Sequence, residues 1–548
     1  MTPTSEIMDQ SHQKQVSSVI DSSSMEEQPS DIEHEEPTDD YSLSGAKLHI
    51  IIFALCLAVF LMALDMAILA TAIPQITEKF QSTKDIGWYI SAYTLSISAF
   101  QPLSGKLYTN FSLKWTFLAL FALFEIGSAI SGAATSSEML IIGRFIAGVG
   151  AAGLMSGTLS IVAIIVTLRL RALYTGIISA NFGVALICGP LVGGALTQYV
   201  SWRWVFYINI PVGAVTIATM VFMFDPPIRP IDNEPVMGRI KRLDLAGVAV
   251  FVPAIFMLLL ALQWGGITYA WNSGKIIGLF VGGGVILILF AIYQWYKGDM
   301  AMIPPSILTN RTVLLASIAA MWGMGASSLF GLWMPEWFQV IKGNSPVQSG
   351  INLLPAMLAQ TVSTIIAGGL TSLLGYYNPF VLLGPALLSI GCGLFTTMNV
   401  ETSSSHWIAF QVIFGLGAGM FITGPLIAVQ SVLSPTETPV GIATVSFFQM
   451  FGGSLFAALS QTIFNEQLVK ELTRNVPNID IRAMLAAGTI GFHKVVETAQ
   501  LAGVIKSYNV AILDTFYLAA AVTTISFLVA LGLPWISMKG KAVAVGGA

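Results

Sequence analysis

The fold of this chain is decided by the stretch Gly183-Val-Ala-Leu-Ile-Cys-Gly189-Pro190-Leu-Val-Gly193-Gly194, which lies inside a longer apolar segment. Glycine lets the backbones of neighbouring membrane helices approach closely, and proline removes one backbone donor and bends a helix. The stretch therefore predicts a bent, tightly packed helix within a bundle of membrane helices. We interpret it as a hinge in a protein that moves.

Composition predicts an all-α, polytopic membrane protein. Of the 548 residues, 55% are hydrophobic and 10% are charged, whereas soluble domains carry about 25% charged residues. Apolar runs of about 17–25 residues are long enough to cross the hydrocarbon core, and the chain contains fourteen such runs. The predicted spans are 48–73, 86–108, 115–134, 138–166, 174–199, 203–224, 243–264, 276–297, 313–335, 351–374, 379–398, 407–431, 439–463 and 514–538.

Charge predicts the orientation of the chain in the membrane. Eleven of the 29 acidic residues precede residue 41, and residues 1–45 are too polar to bury a core, so we expect a disordered, acidic cytosolic tail there. An even number of spans places both termini on one side. Basic residues are concentrated in the connections on that side, so the positive-inside rule places both termini, including a short C-terminal tail at 539–548, in the cytosol.

An internal repeat predicts two similar halves. Gly148 and Gly150 in the fourth predicted span have the same spacing and context as Gly415 and Gly417 in the twelfth. Two similar halves around a central cavity are typical of transporters, and we predict a 6+2+6 arrangement of spans. The predicted domains are an N-terminal six-helix bundle at 46–224, two inserted helices with cytosolic linkers at 225–312, and a C-terminal six-helix bundle at 313–538.

One connection in the second half is long. Residues 464–512 carry apolar residues at helical spacing among charged ones, including Leu468, Leu472 and Ile481. We predict an amphipathic segment that lies on the outer surface of the membrane. A lid over an exit path is the alternative.

Three charged residues fall at membrane depth, where a charge is costly and is usually functional. Asp65, Glu125 and Arg144 lie about 9–13 Å from the outer ends of their predicted helices, at 1.5 Å per residue. We predict that Asp65 carries a transported proton and that Arg144, which is always charged, tunes the affinity of Asp65 for that proton. A static ion pair is the alternative for Asp65 and Arg144. For Glu125 we predict a part in proton coupling, with a structural hydrogen bond as the alternative.

The second half carries neutral polar groups at comparable depth. Gln411 takes the place of Arg144 in the repeat. Amide, aromatic and methionine side chains in this half predict a cavity for a bulky, largely apolar ligand with a few hydrogen-bonding groups. The candidate lining residues are Trp322, Met324, Gln411, Phe448 and Gln449.

No catalytic or nucleotide-binding motif competes with this interpretation. The chain lacks a GxxxxGK loop followed by Ser or Thr, which disfavours ATP-driven export, and none of its five histidines lies well inside a predicted span. We therefore predict no enzyme activity, no bound metal, no cofactor and no nucleic-acid partner, with transport driven by a proton gradient.

Four motifs together resemble those of the major facilitator superfamily, and in particular its fourteen-span drug:proton antiporters. They are the antiporter motif at 183–194, the first-span signature from Leu64 to Pro74 that contains Asp65, Gly143-Arg144 with the glycines that follow it, and the marker Trp202-Arg203-Trp204-Val-Phe-Tyr-Ile-Asn209-Ile-Pro211-Val-Gly213. The resemblance covers nearly all of the chain after the tail. It implies a major facilitator fold, a role for the Arg144 motif in proton transfer and outward exchange through the antiporter motif.

A fifth motif is similar to that of fungal pumps that export toxins and other secondary metabolites. It reads Gly105-Lys-Leu-Tyr-Thr-Asn-Phe-Ser-Leu-Lys114-Trp. Gly105 and Lys114 match the superfamily's cytosolic loop motif, but Thr109 stands where that motif has an acidic residue and Asn110 where it has a basic one. The departure weakens the expectation of a charge latch between the two halves on the cytosolic side.

The resemblance implies a proton-coupled secondary transporter that exports small, largely apolar organic compounds, such as toxins, secondary metabolites or drugs, by antiport and alternating access. The alternative is a vacuolar or plasma-membrane transporter of basic amino acids or metal chelates. We expect a multi-pass monomer in the lipid bilayer of the plasma membrane, with the vacuolar membrane as the alternative. Its expected partners are a small-molecule substrate and protons.

Overall fold

The computed structural model describes residues 43–82, 85–227, 229, 231, 234–266, 268–476, 496 and 500–538. Within these residues the chain is helical and contains no strand. The predicted tails, 1–45 and 539–548, lie outside the described residues except for 43–45. We call the side of the bundle on which the first helix begins the N side, and the opposite side the far side.

Twenty α-helices make up the described chain, and we number them in chain order. The first ten are α1 (Gly45–Ile68), α2 (Ile73–Phe80), α3 (Ile86–Asn110), α4 (Leu113–Gly132), α5 (Ser137–Ala151), α6 (Leu154–Ile165), α7 (Leu168–Tyr199), α8 (Trp204–Tyr207), α9 (Asn209–Met223) and α10 (Val236–Lys241). The next ten are α11 (Leu245–Trp264), α12 (Gly274–Lys297), α13 (Pro305–Leu308), α14 (Arg311–Val340), α15 (Pro346–Asn352), α16 (Leu354–Leu374), α17 (Asn378–Phe395), α18 (Ser404–Gln430), α19 (Thr438–Asn475) and α20 (Leu501–Ala530).

Thirteen helical segments of the described chain are long and apolar enough to cross a membrane. The segment predicted as the second span, 86–108, forms α3 but is not among the thirteen. The reason is its composition, because α3 carries serine, threonine, tyrosine and glutamine along much of its length. Most of these polar residues are buried against other helices, so α3 is a helix of the protein interior.

The internal repeat is visible in the packing of its glycines. Gly148 of α5 lies against the backbone of α3, where an added Cβ would lie 2.5 Å from the carbonyl oxygen of Tyr93. Gly415 of α18 lies in the same way against α16, where an added Cβ would lie 2.2 Å from the carbonyl oxygen of Ala356. The two halves therefore use corresponding glycines to bring corresponding helices together.

The glycines of the opening stretch do not all have the same role. Added Cβ atoms on Gly189 and Gly193 would lie 2.5 Å from Ala67 and Thr71, so both glycines allow α7 to pack closely on the end of α1. Gly194 faces open space. The α-helix continues through Pro190 without interruption.

Helix α7 also joins the two halves. Gly176 of α7 and Gly368 of α16 face each other, and a Cβ on Gly368 would lie 2.6 Å from the carbonyl oxygen of Ala172. Gly183, closer to the far side, faces Thr361 of α16 at an ordinary contact distance of 3.4 Å. The antiporter motif thus lies on a helix that packs on its own half and on the opposite half.

The first inserted helix lies between the halves. Trp264 of α11 packs on Trp88 of α3 with ring centroids 5.8 Å apart, and Phe251 of α11 packs on Phe447 of α19 at 5.3 Å. Aromatic pairs at these distances are favourable beyond their buried area. Helix α11 is therefore fixed against one helix of each half.

The prediction of an amphipathic segment on the outer surface at 464–512 is wrong for its described parts. Residues 464–475 continue α19, and residues 501–512 begin α20. Leu468, Leu472 and Val504 are fully buried, because the two helices extend towards the far side and pack on each other. The amphipathic pattern arises from this packing and not from contact with lipid headgroups. The rest of the segment lies outside the described residues, apart from 476, 496 and 500.

The contrast between Gly193 and Gly194 gives a test of the α1 and α7 contact. We expect Gly193→Ala to destabilise the protein by about 1–3 kcal/mol, because the new methyl group overpacks a contact with the Thr71 side chain and the carbonyl oxygen of Ile68. Gly194→Ala should be neutral or slightly stabilising, since alanine favours the helix and meets no neighbour. Thermal unfolding of the two purified variants measures the difference in stability. Equal effects of the two substitutions would contradict the packing described here.

Candidate functional site

Asp65 and Arg144, which sequence analysis placed at the same depth, form a buried ion pair. Arg144 Nη1 of α5 donates to Asp65 Oδ2 of α1, and both side chains are almost completely shielded from solvent. Arg144 Nε donates to the carbonyl oxygen of Tyr89 at 3.1 Å. Asn209 Nδ2 of α9 approaches the other carboxylate oxygen, Asp65 Oδ1, at 3.4 Å.

Aromatic and amide groups complete the surroundings of the pair. The guanidinium carbon of Arg144 lies 4.2 Å from the ring centroid of Tyr93, within the range of a cation–π interaction. Asn209 also donates to Ser128 Oγ of α4 at 3.1 Å. A buried ion pair is stable only when its remaining donors and acceptors are satisfied. Here α3 and α9 supply those partners, and α4 holds Asn209 in place through Ser128.

Glu125 lies close to this pair but in a different setting. Both of its carboxyl oxygens are buried and have no hydrogen-bond partner among the described residues. The side chain packs against Gly213 of α9, one helical turn from Asn209 and so about 6 Å farther along the axis. A buried polar group without a partner is rare and calls for a functional explanation. The structural hydrogen bond considered for Glu125 is not found among the described residues.

A central cavity of about 60 Å³ lies between the two halves. Its described lining contains no charged side chain and includes methionines from both halves. The lining residues are Met62, Met66, Ile97, Gln101, Ala151, Met155, Ser179, Phe182, Met324, Ile422, Leu426, Ser446, Gln449 and Met450. The hydroxyl groups of Ser179 and Ser446, one from each half, are buried without a partner in the described chain. They are available to a ligand.

Only two of the five predicted cavity residues line the central cavity in the structure. Met324 and Gln449 line the central cavity. Trp322 packs on Phe456, Phe448 packs on Phe447, and Gln411 donates to the carbonyl oxygen of Asn352 at 3.0 Å, so none of these three is a lining residue.

Sequence reasoning missed several residues of both sites. The methionines of α1, Gln101 and the two serines line the cavity, but no sequence signal separates them from residues that pack between helices. Asn209 belongs to the marker from Trp202 to Gly213. Its place in that marker is the sequence signal for the contacts that it makes with Asp65 and Ser128.

The loop motif closes the N side between the halves. An added Cβ on Gly105 of α3 would lie 2.8 Å from Cα of Val440 in α19. Thr109 Oγ1 donates to the carbonyl oxygen of Thr436 in the opposite half at 3.1 Å. The contact is therefore neutral at this point, in agreement with the replacement of the usual acidic residue by threonine.

Lys114, the other matching residue of the loop motif, acts within the first half. Its ammonium group donates to Asp225, which follows α9, at 2.8 Å. This hydrogen bond and the positive charge hold the pKa of the exposed Asp225 carboxyl below its usual value. An exposed pair of this kind contributes little to stability.

Two corresponding helix bundles, a cavity lined by both and a buried ion pair beside it are the features of a membrane transporter. The model of the Major Facilitator Superfamily matches residues 55–457. The chain belongs to this superfamily.

Its relatives include fungal efflux pumps. The chain is 43% identical over 509 residues to the MFS-type transporter astH of Aspergillus oryzae, covering 93% of this chain and 90% of the relative. It is also 43% identical over 500 residues to the efflux pump aflT of Aspergillus parasiticus, covering 91% and 97%. Among solved structures, the proton:xylose symporter XylE has the same fold, with a TM-score of 0.57, 12% identity and coverage of 90% and 97%.

The ion pair gives a stability prediction. Asp65→Asn and Arg144→Gln should each destabilise the protein by about 3–5 kcal/mol, because each leaves a buried group without its partner. The double variant should lose less than the sum of the two. A double-mutant cycle of unfolding free energies measures this coupling, and additive losses would show that the pair does not interact as described.

The closed N side gives a second prediction. Gly105→Leu should separate the halves on the N side, because the new side chain meets backbone atoms that cannot move aside locally. Spin labels at Leu170 of α7 and Leu373 of α16, with the native cysteines replaced by alanine, would report a longer distance by pulsed electron resonance. The control is Gly278→Leu on α12, which faces open space and should leave the distance unchanged.

Proposed function

We propose that this chain is a proton-coupled exporter of small, largely apolar organic compounds that works by antiport and alternating access. We further propose that α3 is a fourteenth span, which gives the 6+2+6 arrangement. The proposal includes both termini in the cytosol, so that the N side is cytosolic and the far side faces outwards. It also includes a plasma-membrane location and a monomeric, proton-driven pump without a cofactor.

One observation carries the proposal: α1 takes part in both sites. Met62 and Met66 of α1 line the central cavity, while Asp65, between them in sequence, pairs with Arg144. A movement of α1 that changes the ion pair therefore also changes the cavity wall. This is the physical link that coupled transport requires between proton and substrate.

The surroundings of the pair support a proton cycle. When Asp65 binds a proton, its attraction to Arg144 is lost, while Arg144 keeps its contacts with the Tyr89 carbonyl group and the Tyr93 ring. Helix α1 is then free to move relative to α3 and α5. Loss of the proton restores the pair. Glu125 packs on Gly213, one helical turn of α9 from Asn209, and has no hydrogen-bond partner among the described residues. It is the proposed second site for the proton.

The chemistry of the cavity supports a neutral, apolar substrate. Methionine adapts to ligands of different shape, and the glutamines and serines of the lining provide a few hydrogen bonds. The relatives named as efflux pumps agree with export of such compounds. A transporter of basic amino acids or metal chelates would need an opposite charge at its binding site, and the described lining offers none.

Proteoliposomes with a pH-sensitive dye in the lumen test the proposal. Aromatic metabolites added outside should release protons from an acidic lumen in the native protein, and Asp65→Asn should abolish this release while leaving substrate binding in place. Asp225→Asn is the control, because it removes only an exposed ion pair and should retain coupling. Substrate flux indifferent to the proton gradient in the native protein would refute antiport, and full coupling in Asp65→Asn would refute the role of Asp65.

A further inference from the structure

A second cavity, of about 260 Å³, lies on the far side of the central one. It is lined by both halves together with the inserted helix α11. The lining residues are Ile90, Ser91, Thr94 and Leu95 of α3, Leu259, Leu262 and Gln263 of α11 with Gly265 directly after it, Leu332 of α14, and Ser454, Ala457, Ala458 and Gln461 of α19. We call it the far cavity.

The far cavity and the central cavity follow one another along the same helices. On α3, Gln101 lines the central cavity and Thr94 the far cavity, seven residues and about 10 Å apart on one helix face. On α19, Gln449 lines the central cavity and Ser454 the far cavity. A molecule that leaves the central cavity along this face of α3 and α19 therefore enters the far cavity next.

Helix α11 gives the far cavity its lateral wall. The contact between Trp88 and Trp264 closes the gap between α3 and α11 at the far end, and the contact between Phe251 and Phe447 closes the gap between α11 and α19 nearer the N side. Leu259 and Leu262 face the space between these two contacts. The inserted helix thus separates the cavity from the lipid on this side.

The polar groups of the far cavity include two acceptors that no described residue occupies. The amide nitrogen of Gln461 donates to Asn465 at 3.2 Å, and that of Gln263 is directed at the carbonyl oxygen of Gly87 at 3.4 Å. The Ser91 hydroxyl also donates to Gly87, at 2.6 Å. The carbonyl oxygens of the two glutamines have no donor among the described residues, and the lining carries no charge. A neutral ligand with an O–H or N–H donor would complement this surface.

We propose that the far cavity is a second binding site for the exported molecule, specific for neutral apolar compounds that carry a hydroxyl or N–H donor, with α11 as its specificity-determining wall. The proposal rests on the proposed export function, since that function supplies the ligand. It assigns the first inserted helix, α11, a direct contact with the substrate. The central site selects by shape through its methionines, and the far site selects for a hydrogen-bond donor.

Photolabelling with 4-hydroxybenzophenone, a neutral aromatic phenol, tests this site on the purified full-length protein in nanodiscs. Adducts mapped by mass spectrometry should fall on the far-cavity residues of α3, α11 or α19. Ala457→Phe fills the cavity and should reduce these adducts about tenfold, whereas Leu459→Phe, on the lipid-facing side of the same helix, should leave them unchanged. Adducts confined to the central cavity or to lipid-facing positions would overturn the proposal.

A second measurement does not depend on filling the cavity. Gln263→Leu should lower far-cavity labelling by the phenol about fivefold, the effect of one lost hydrogen bond, and should not change labelling by benzophenone itself. Equal labelling by the two probes in all variants would show a space for lipid chains and would overturn the proposal. Because no proton gradient is used, these results are independent of the antiport experiment, so the two proposals fail separately.

Discussion

The ion pair between Arg144 and Asp65 is the interaction on which the first half depends. A guanidinium group buried in a membrane protein must keep a counter-charge and must direct its other donors to acceptors. Arg144 does so through Asp65 of α1 and the Tyr89 carbonyl group of α3, and Asn209 of α9 supports the carboxylate. One charge on α5 therefore determines the positions of three other helices.

The second half joins the corresponding helices without a charge. At the position that corresponds to Arg144 it has Gln411, whose amide nitrogen donates a hydrogen bond to the carbonyl oxygen of Asn352. Around it, aromatic rings fill the space, with Phe330 and Phe414 stacked at 4.4 Å. The two halves share glycine contacts but differ in what those contacts enclose. The proposed proton chemistry belongs to the first half, and at the corresponding position the second half has a neutral amide among aromatic rings.

The sequence contains enough information for the helices and the ion pair but not for the cavities. Hydropathy and the cost of a buried charge identify the spans and single out Asp65 and Arg144. The α3 helix falls below the hydropathy of a span because it carries many polar residues. They are tolerated there because most of them face the protein interior. Which face of a helix meets the cavity depends on its rotation, and this rotation separated Met324 and Gln449 from Trp322 and Phe448.

The long connection shows a further limit. An amphipathic pattern is the same whether a helix packs on lipid headgroups or on another protein helix. Leu472 and Val504 lie about 30 residues apart in sequence, and each completes the apolar contact of the other helix. Only the pairing of α19 with α20 decides between the two environments, and pairing at that separation leaves no local signal. The neutral contact on the N side was easier to predict, since Thr109 removes the usual charge directly.

The neutral contact also agrees with a switch driven by one proton. A hydrogen bond such as that from Thr109 to Thr436 contributes about 0.5–1.5 kcal/mol, while moving a two-state equilibrium from 1:99 to 99:1 takes about 5.5 kcal/mol. Breaking a buried ion pair changes the free energy by about 3–5 kcal/mol. The proposed loss of the pair between Asp65 and Arg144 therefore exceeds the contribution of this one hydrogen bond but lies below the free energy of a full switch, so other contacts must supply the difference. In the proposed proton cycle, a charged latch would add to the free energy that the same proton must overcome, and the neutral contact at Thr109 avoids that addition.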